Sequence, residues 1–97
     1  MTIVHRQILE TFSRRHPDAR GAIAAWEAEV RDANWQRPHD VQQHYPKASI
    51  LKSSRCVFNI CGNRYRLIVK FNYLAGVVQV RWCGTHQEYD HLDTESV

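Results

Sequence analysis

Apolar residues recur every three to four positions up to about Asn34 and every second position from Arg55 to Gly84, so the chain changes structural period midway. Ile8, Leu9 and Phe12 predict a first helix over Arg6–Arg15. His16-Pro17-Asp18 stops it, and Pro17 suits the first position of a second helix, with Asp18 favouring the positive end of its dipole. That helix should run to about Asn34. Ala19, Ile23, Trp26, Val30 and Ala33 form its apolar stripe, while Arg20, Glu27, Arg31 and Asp32 are expected to face outward. Pro38–His44 predicts a short third helix, ended by Tyr45-Pro46. Thr2–Val4 is β-prone and suits an edge strand.

The second half reads as strands. Ser49–Leu51 suggests weak strand pairing and Lys52-Ser53-Ser54 a turn. Arg55–Ile60 puts Cys56, Phe58 and Ile60 on one face. Cys61-Gly62-Asn63 supplies a turn, because Gly and Asn tolerate positive φ. From Arg64 to Tyr73, Tyr65, Leu67, Val69, Phe71 and Tyr73 share one face and Arg64, Arg66, Ile68, Lys70 and Asn72 the other. After Leu74-Ala75-Gly76, Val77–Gly84 places Val78, Val80 and Trp82 on the apolar side and Gln79 and Arg81 on the reverse. Three hairpin-linked strands make an antiparallel meander. Helices followed by strands predict an α+β fold with the helices on one sheet face. Thr85-His86-Gln87-Glu88 fits a capping box, opening a short C-terminal helix with His86, Tyr89, Asp90 and Asp93 along one side.

At 97 residues, the chain is read as one domain, 1–97. No apolar run approaches a membrane span and no signal-peptide pattern opens the chain, so no membrane partner and a cytoplasmic location are expected. Cys56, Cys61 and Cys83 show no CxxC spacing. A Cys56–Cys61 bridge along a strand would have to close about 16 Å to about 6 Å, so reduced thiols are expected. No spacing matches a zinc pattern, and neither metal nor cofactor is expected.

Charge sharpens the picture. No acidic residue lies between Val41 and Gln87, a stretch holding Lys47, Lys52, Arg55, Arg64, Arg66, Lys70 and Arg81. After Arg81 the tail carries Glu88, Asp90, Asp93 and Glu95 and no Lys or Arg. Arg66, Lys70 and Arg81 should meet on the reverse of the sheet as a cationic surface suited to an anionic partner, most simply nucleic acid. An ordinary hydrophilic sheet face is the plainer alternative. Metal-free RNA cleavage needs a base for the 2′-hydroxyl, charge stabilisation at the phosphorane and a proton for the leaving 5′-oxygen. Arg66, Lys70 and Arg81 suit the second task. His86 suits the first or third, and at a helix start it would sit beside N–H groups that favour phosphate and a neutral base. Tyr89 could stack on a base or bond the reacting groups. Asp90 could orient His86 or act as a base itself, or simply pair with a nearby arginine.

These residues carry a resemblance. Val57-Phe58-Asn59-Ile60, Gly62-Asn63, Tyr65-Arg66-Leu67, Lys70 and Gly84-Thr85-His86-x-Glu88-Tyr89-Asp90 together resemble the HigB family of toxins from type II toxin–antitoxin modules. His16-Pro17-Asp18, Trp26, Trp35 and Pro38 extend the likeness over almost the whole chain. The resemblance implies a RelE-like fold, helices packed on a small antiparallel sheet. It implies an endoribonuclease, an mRNA interferase that acts on messages in the ribosome by metal-free 2′-hydroxyl attack, leaving a 2′,3′-cyclic phosphate and a 5′-hydroxyl. It further implies a cognate HigA-type antitoxin with a helix-turn-helix domain. On this reading Arg66, Lys70, Arg81, His86 and Tyr89 are catalytic, and Lys52, Arg55 and Arg64 contact RNA. A non-catalytic RNA- or ribosome-binding module that blocks translation is the alternative.

Overall fold

A computed structural model describes residues 1–97. Strand β1 (Thr2–Val4) leads into helix α1 (Gln7–Arg15), a 3₁₀ turn (Pro17–Ala19), helix α2 (Arg20–Asp32) and helix α3 (Pro38–His44). Strands β2 (Ser49–Ile50), β3 (Arg55–Ile60), β4 (Tyr65–Asn72) and β5 (Val77–Thr85) follow, then helix α4 (His86–Asp90). The sheet order is β1-β5-β4-β3-β2. All pairings are antiparallel except the β1 edge, which runs parallel to β5 with Ile3 opposite Val78. This is the α+β architecture expected from the change of period.

The helices cover one sheet face. Leu9, Phe12, Ile23, Trp26 and Val30 bury against Phe58, Leu67, Val69, Val78 and Val80. Aromatic rings interlock there: Trp26 meets Phe58 edge-on at 5.4 Å, Trp35 meets Phe71 at 5.9 Å, and Phe12 meets Tyr65 at 5.1 Å. Pro17 opens a separate 3₁₀ turn rather than α2 itself, because its ring fits a first turn but not a continuous helix from α1.

Glu27 is not outward-facing. It is only 7% exposed, and its carboxylate accepts from Arg6 Nε at 2.8 Å and Arg31 at 3.0 Å. Helical periodicity alone placed it outside; a cross-helix Arg6 made its burial tolerable. In the β3–β4 turn the left-handed residues are Cys61 and Gly62 (φ 54° and 66°), not Asn63. Asn63 instead has its side chain bound to Arg66.

One irregularity reshapes the outer face. Val69 pairs with Val80, but Ile68 pairs with Trp82, so Arg81 is an extra residue in β5. This β-bulge flips the alternation. Val78 and Val80 face the core as expected, but Trp82 moves to the outer face beside Ile68, and Cys83 takes the inward place opposite Leu67. Strict period two could not foresee this.

Candidate active site

Strands β4 and β5 deliver residues to the outer face in rows. Asn59, Arg66 and Gly84 form one, Val57, Ile68 and Trp82 the next, and Arg55, Lys70 and Gln79 a third. Arg81, released by the bulge, donates to Gln79 Oε1 at 2.9 Å and so joins the Lys70 end. The expected single cluster of Arg66, Lys70 and Arg81 is therefore split. Arg81 and Lys70 share the Gln79 row. Arg66 stands two rows away, because four residues along a strand span about 13 Å.

Arg66 is 9% exposed. Its guanidinium donates to the Asn63 carbonyl at 3.1 Å, to Asn63 Oδ1 at 2.6 Å and to the Tyr65 carbonyl at 3.2 Å. It also lies 5.9 Å from the centre of the Tyr89 ring. The residue is thus fixed as a rigid charge beneath Tyr89 instead of a free phosphate fork. Tyr89 sits against Trp82 as well, at 6.3 Å between ring centres. Gly84 makes room for this stack: a Cβ there would stand 2.4 Å from the Trp82 ring.

Helix α4 begins as expected. Thr85 Oγ1 accepts from Glu88 N–H at 3.1 Å, and Glu88 Oε1 accepts from Thr85 N–H at 2.8 Å. The Thr85 N–H holds the Glu88 carboxyl below its usual range. His86 N–H bonds the Arg64 carbonyl at 2.9 Å. With these N–H groups engaged and only five residues in the helix, its start is not the phosphate cradle the sequence suggested. Asp93 likewise lies beyond the helix, which ends at Asp90. What α4 does provide is a pair: His86 Nδ1 stands 3.2 Å from Asp90 Oδ2. This is an ion-pair distance, which places a carboxylate on the Nδ1 side of the imidazole and leaves Nε2 for another partner.

The remaining predicted residues are placed differently. Arg64 projects at the rim and pairs with Asp18 at 3.1 Å. Lys52 is exposed in the turn before β3. Arg55, expected to contact RNA, is 7% exposed and bound internally: its guanidinium donates to the carbonyls of Lys52 and Thr94 and to the Val97 oxygen. Burial pushes the Cys56 and Cys83 thiols up to about 12, which removes them as nucleophiles at neutral pH.

A second constellation escaped the sequence reading. Tyr65 OH donates to both Asp18 carboxylate oxygens, at 2.7 and 2.8 Å, and His16 stacks on Phe12 beside Tyr65. Tyr65 is the direct partner of Thr85, so this group sits behind the start of α4. His16-Pro17-Asp18 stands out in the sequence as a helix stop, but only folding brings it against β4, with Asp18 meeting Tyr65 47 residues on.

The fold and this outer face define a small RelE-like α+β protein with a basic sheet surface beside a His–Asp helix. The chain belongs to the HigB toxin family, the RelE-like toxic component of a toxin–antitoxin system, whose model matches residues 19–92. A comparison with curated proteins gave no match. Membership in that family implies an antitoxin partner. No helix is long and apolar enough to cross a membrane.

Proposed function

We propose that this toxin is an endoribonuclease that cleaves mRNA in the translating ribosome, and that its cognate antitoxin is a HigA-type helix-turn-helix protein. The observation that carries the reading is the His86–Asp90 pair at 3.2 Å on the rim of the outer sheet face, next to Tyr89 and Arg66. His86 Nε2 takes the proton of a ribose 2′-hydroxyl. The freed oxygen attacks phosphorus, the bond from phosphorus to the 5′-oxygen breaks, and that oxygen leaves with the bonding pair and takes a proton from water. The products are a 2′,3′-cyclic phosphate and a 5′-hydroxyl.

Asp90 holds the imidazole in the basic tautomer and stabilises the imidazolium that forms. A carboxylate near phosphate is otherwise repulsive, and here its partner gains the positive charge as the reaction proceeds. Arg81, exposed at the bulge, and Lys70 beside it lie at the far end of the face. They hold the flanking phosphates of the strand whose scissile phosphate lies at the His86 end. Arg66 contributes a fixed field, and Tyr89 above it offers a face for a base. Arg64 and Lys52 contact the strand further along.

Brief induction in cells, followed by mapping of message 5′ ends, tests the reading. New ends in phase with the reading frame, absent for Arg81→Ala and His86→Ala, are expected. New ends without frame would indicate a free ribonuclease. Arrested translation with no new ends would replace cleavage by a binding module, and undiminished toxicity in both variants would remove the site.

A further inference from the structure

Two apolar residues are buried on the wrong side of the sheet. Val57 and Ile68 are 3% and 0% exposed, yet stand outside the helix-facing core, opposite each other on the outer face. No helix packs there except α4, whose Tyr89 lies over Arg66 and Trp82. The chain then runs from α4 to Arg55, where Thr94 and Val97 accept from the guanidinium. To connect those points, residues 91–97 must cross the strand pair at Val57 and Ile68. Their burial alternates accordingly. Leu92, Thr94 and Val97 are half-buried, while Asp93, Glu95 and Ser96 are exposed. Arg55 is the register partner of Lys70, so the tail ends on the cationic row that also carries Gln79 and Arg81.

We infer that Arg55, with the exposed Lys70 beside it, forms a phosphate subsite for RNA and that the chain's own segment Leu92–Val97 occupies the Arg55 half of it in the free protein. This rests on the proposed RNA-cleaving reading and adds regulation to the same face. The tail holds its place with carbonyl oxygens on a guanidinium and a few half-buried side chains. RNA phosphates, carrying full charge, are better acceptors for the same donors. The acidic groups Asp93 and Glu95, on the outer side of the strap, repel a strand until it is displaced.

The test compares the intact chain with a variant ending at His91. The probe is a short labelled 2′-O-methyl oligoribonucleotide, which lacks the attacking hydroxyl. The shortened chain should bind about tenfold more tightly, with a salt slope steeper by roughly 0.7, the value for one added single-strand phosphate contact. Arg55→Gln in the shortened chain should return both to the intact values. The variant D93N/E95Q, which keeps the strap but removes its charge, should recover only a minor part of the gain. Equal gains from D93N/E95Q and truncation would overturn the cover and leave a charge effect. In the intact chain, added RNA should speed amide exchange of residues 92–97, and this reads the displacement even if the shortened chain folds poorly. Unchanged exchange with RNA bound, or unchanged affinity on truncation, overturns the inference while leaving cleavage in place. No RNA binding by either protein overturns the subsite, while the mapping of message 5′ ends decides the cleavage reading separately.

Discussion

At the scale of single residues, the missing side chain of Gly84, at the end of a strand, is what lets Trp82 lie across it toward Tyr89. Gly84→Ala should displace the Trp82 ring and destabilise the protein by about 1–3 kcal/mol, the usual cost of overpacking. Thermal unfolding and tryptophan fluorescence would report it, and an unchanged spectrum would show that the ring does not depend on this glycine. Helical spacing put His86, Tyr89 and Asp90 on one side of a helix, and strand spacing grouped Arg66 with Lys70 and Arg81 instead. The pairing of Arg66 with Tyr89 was not legible, because a contact between β4 and α4 depends on how the helix is laid on the sheet. Arg55 shows the limit most clearly. Charge alone made it an RNA ligand, and the fold made it the anchor of the tail.

At the scale of elements, local signals performed well where they were self-contained. The capping box at Thr85 is present with both hydrogen bonds, and α3 and β3 lie at their expected bounds. Thr85→Ala should cost about 1 kcal/mol and fray α4, lowering cleavage through His86 more than it lowers stability. Amide exchange at Glu88 and message-cleavage rate would separate the two. Glu88 has a depressed folded pKa, so its share of the cap is complete above its ordinary value of 4.5 and is lost as pH falls through the lower folded value. Protection of the amides at the start of α4, measured relative to their intrinsic exchange rate at each pH, should therefore fall only under acid, and an equal loss of protection near neutrality would discount the cap. The β5 bulge was invisible for the opposite reason. Val77–Gly84 alternates well enough as a plain strand, and the extra residue exists only relative to β4.

At the scale of the molecule, two long-range ties decide the shape around the site. Tyr65 joins β4 to the 3₁₀ turn through Asp18, and its hydroxyl holds that carboxyl below its ordinary value of 3.8. The stability from this bond is present above that value and disappears as pH falls through Asp18's lower folded value. Tyr65→Phe should thus move acid unfolding to higher pH, with the two proteins converging once Asp18 is protonated in both. Acid titration by circular dichroism checks this, and coincident curves would remove the tie. The core itself centres on Phe58, which is 1% exposed and touches rings from α2 and from Tyr45. Phe58→Ala should cost about 3–5 kcal/mol in chemical denaturation, since its neighbours cannot all collapse into the cavity. A loss below about 1 kcal/mol would mean that they do.

By itself the sequence determined the elements, the α+β class, the helix-facing strand positions apart from the Trp82 shift, and the residue types of the candidate site. Those features follow from spacing within a segment, where backbone geometry alone decides which side chains share a face. The tertiary structure decided which cations stay free. It buried Arg55 and Arg66, left Lys70 and Arg81 open, and drew the acidic tail across the sheet. A charged side chain's role depends on which partners reach it first, and here those partners come from a bulge, a turn and a segment about forty residues away.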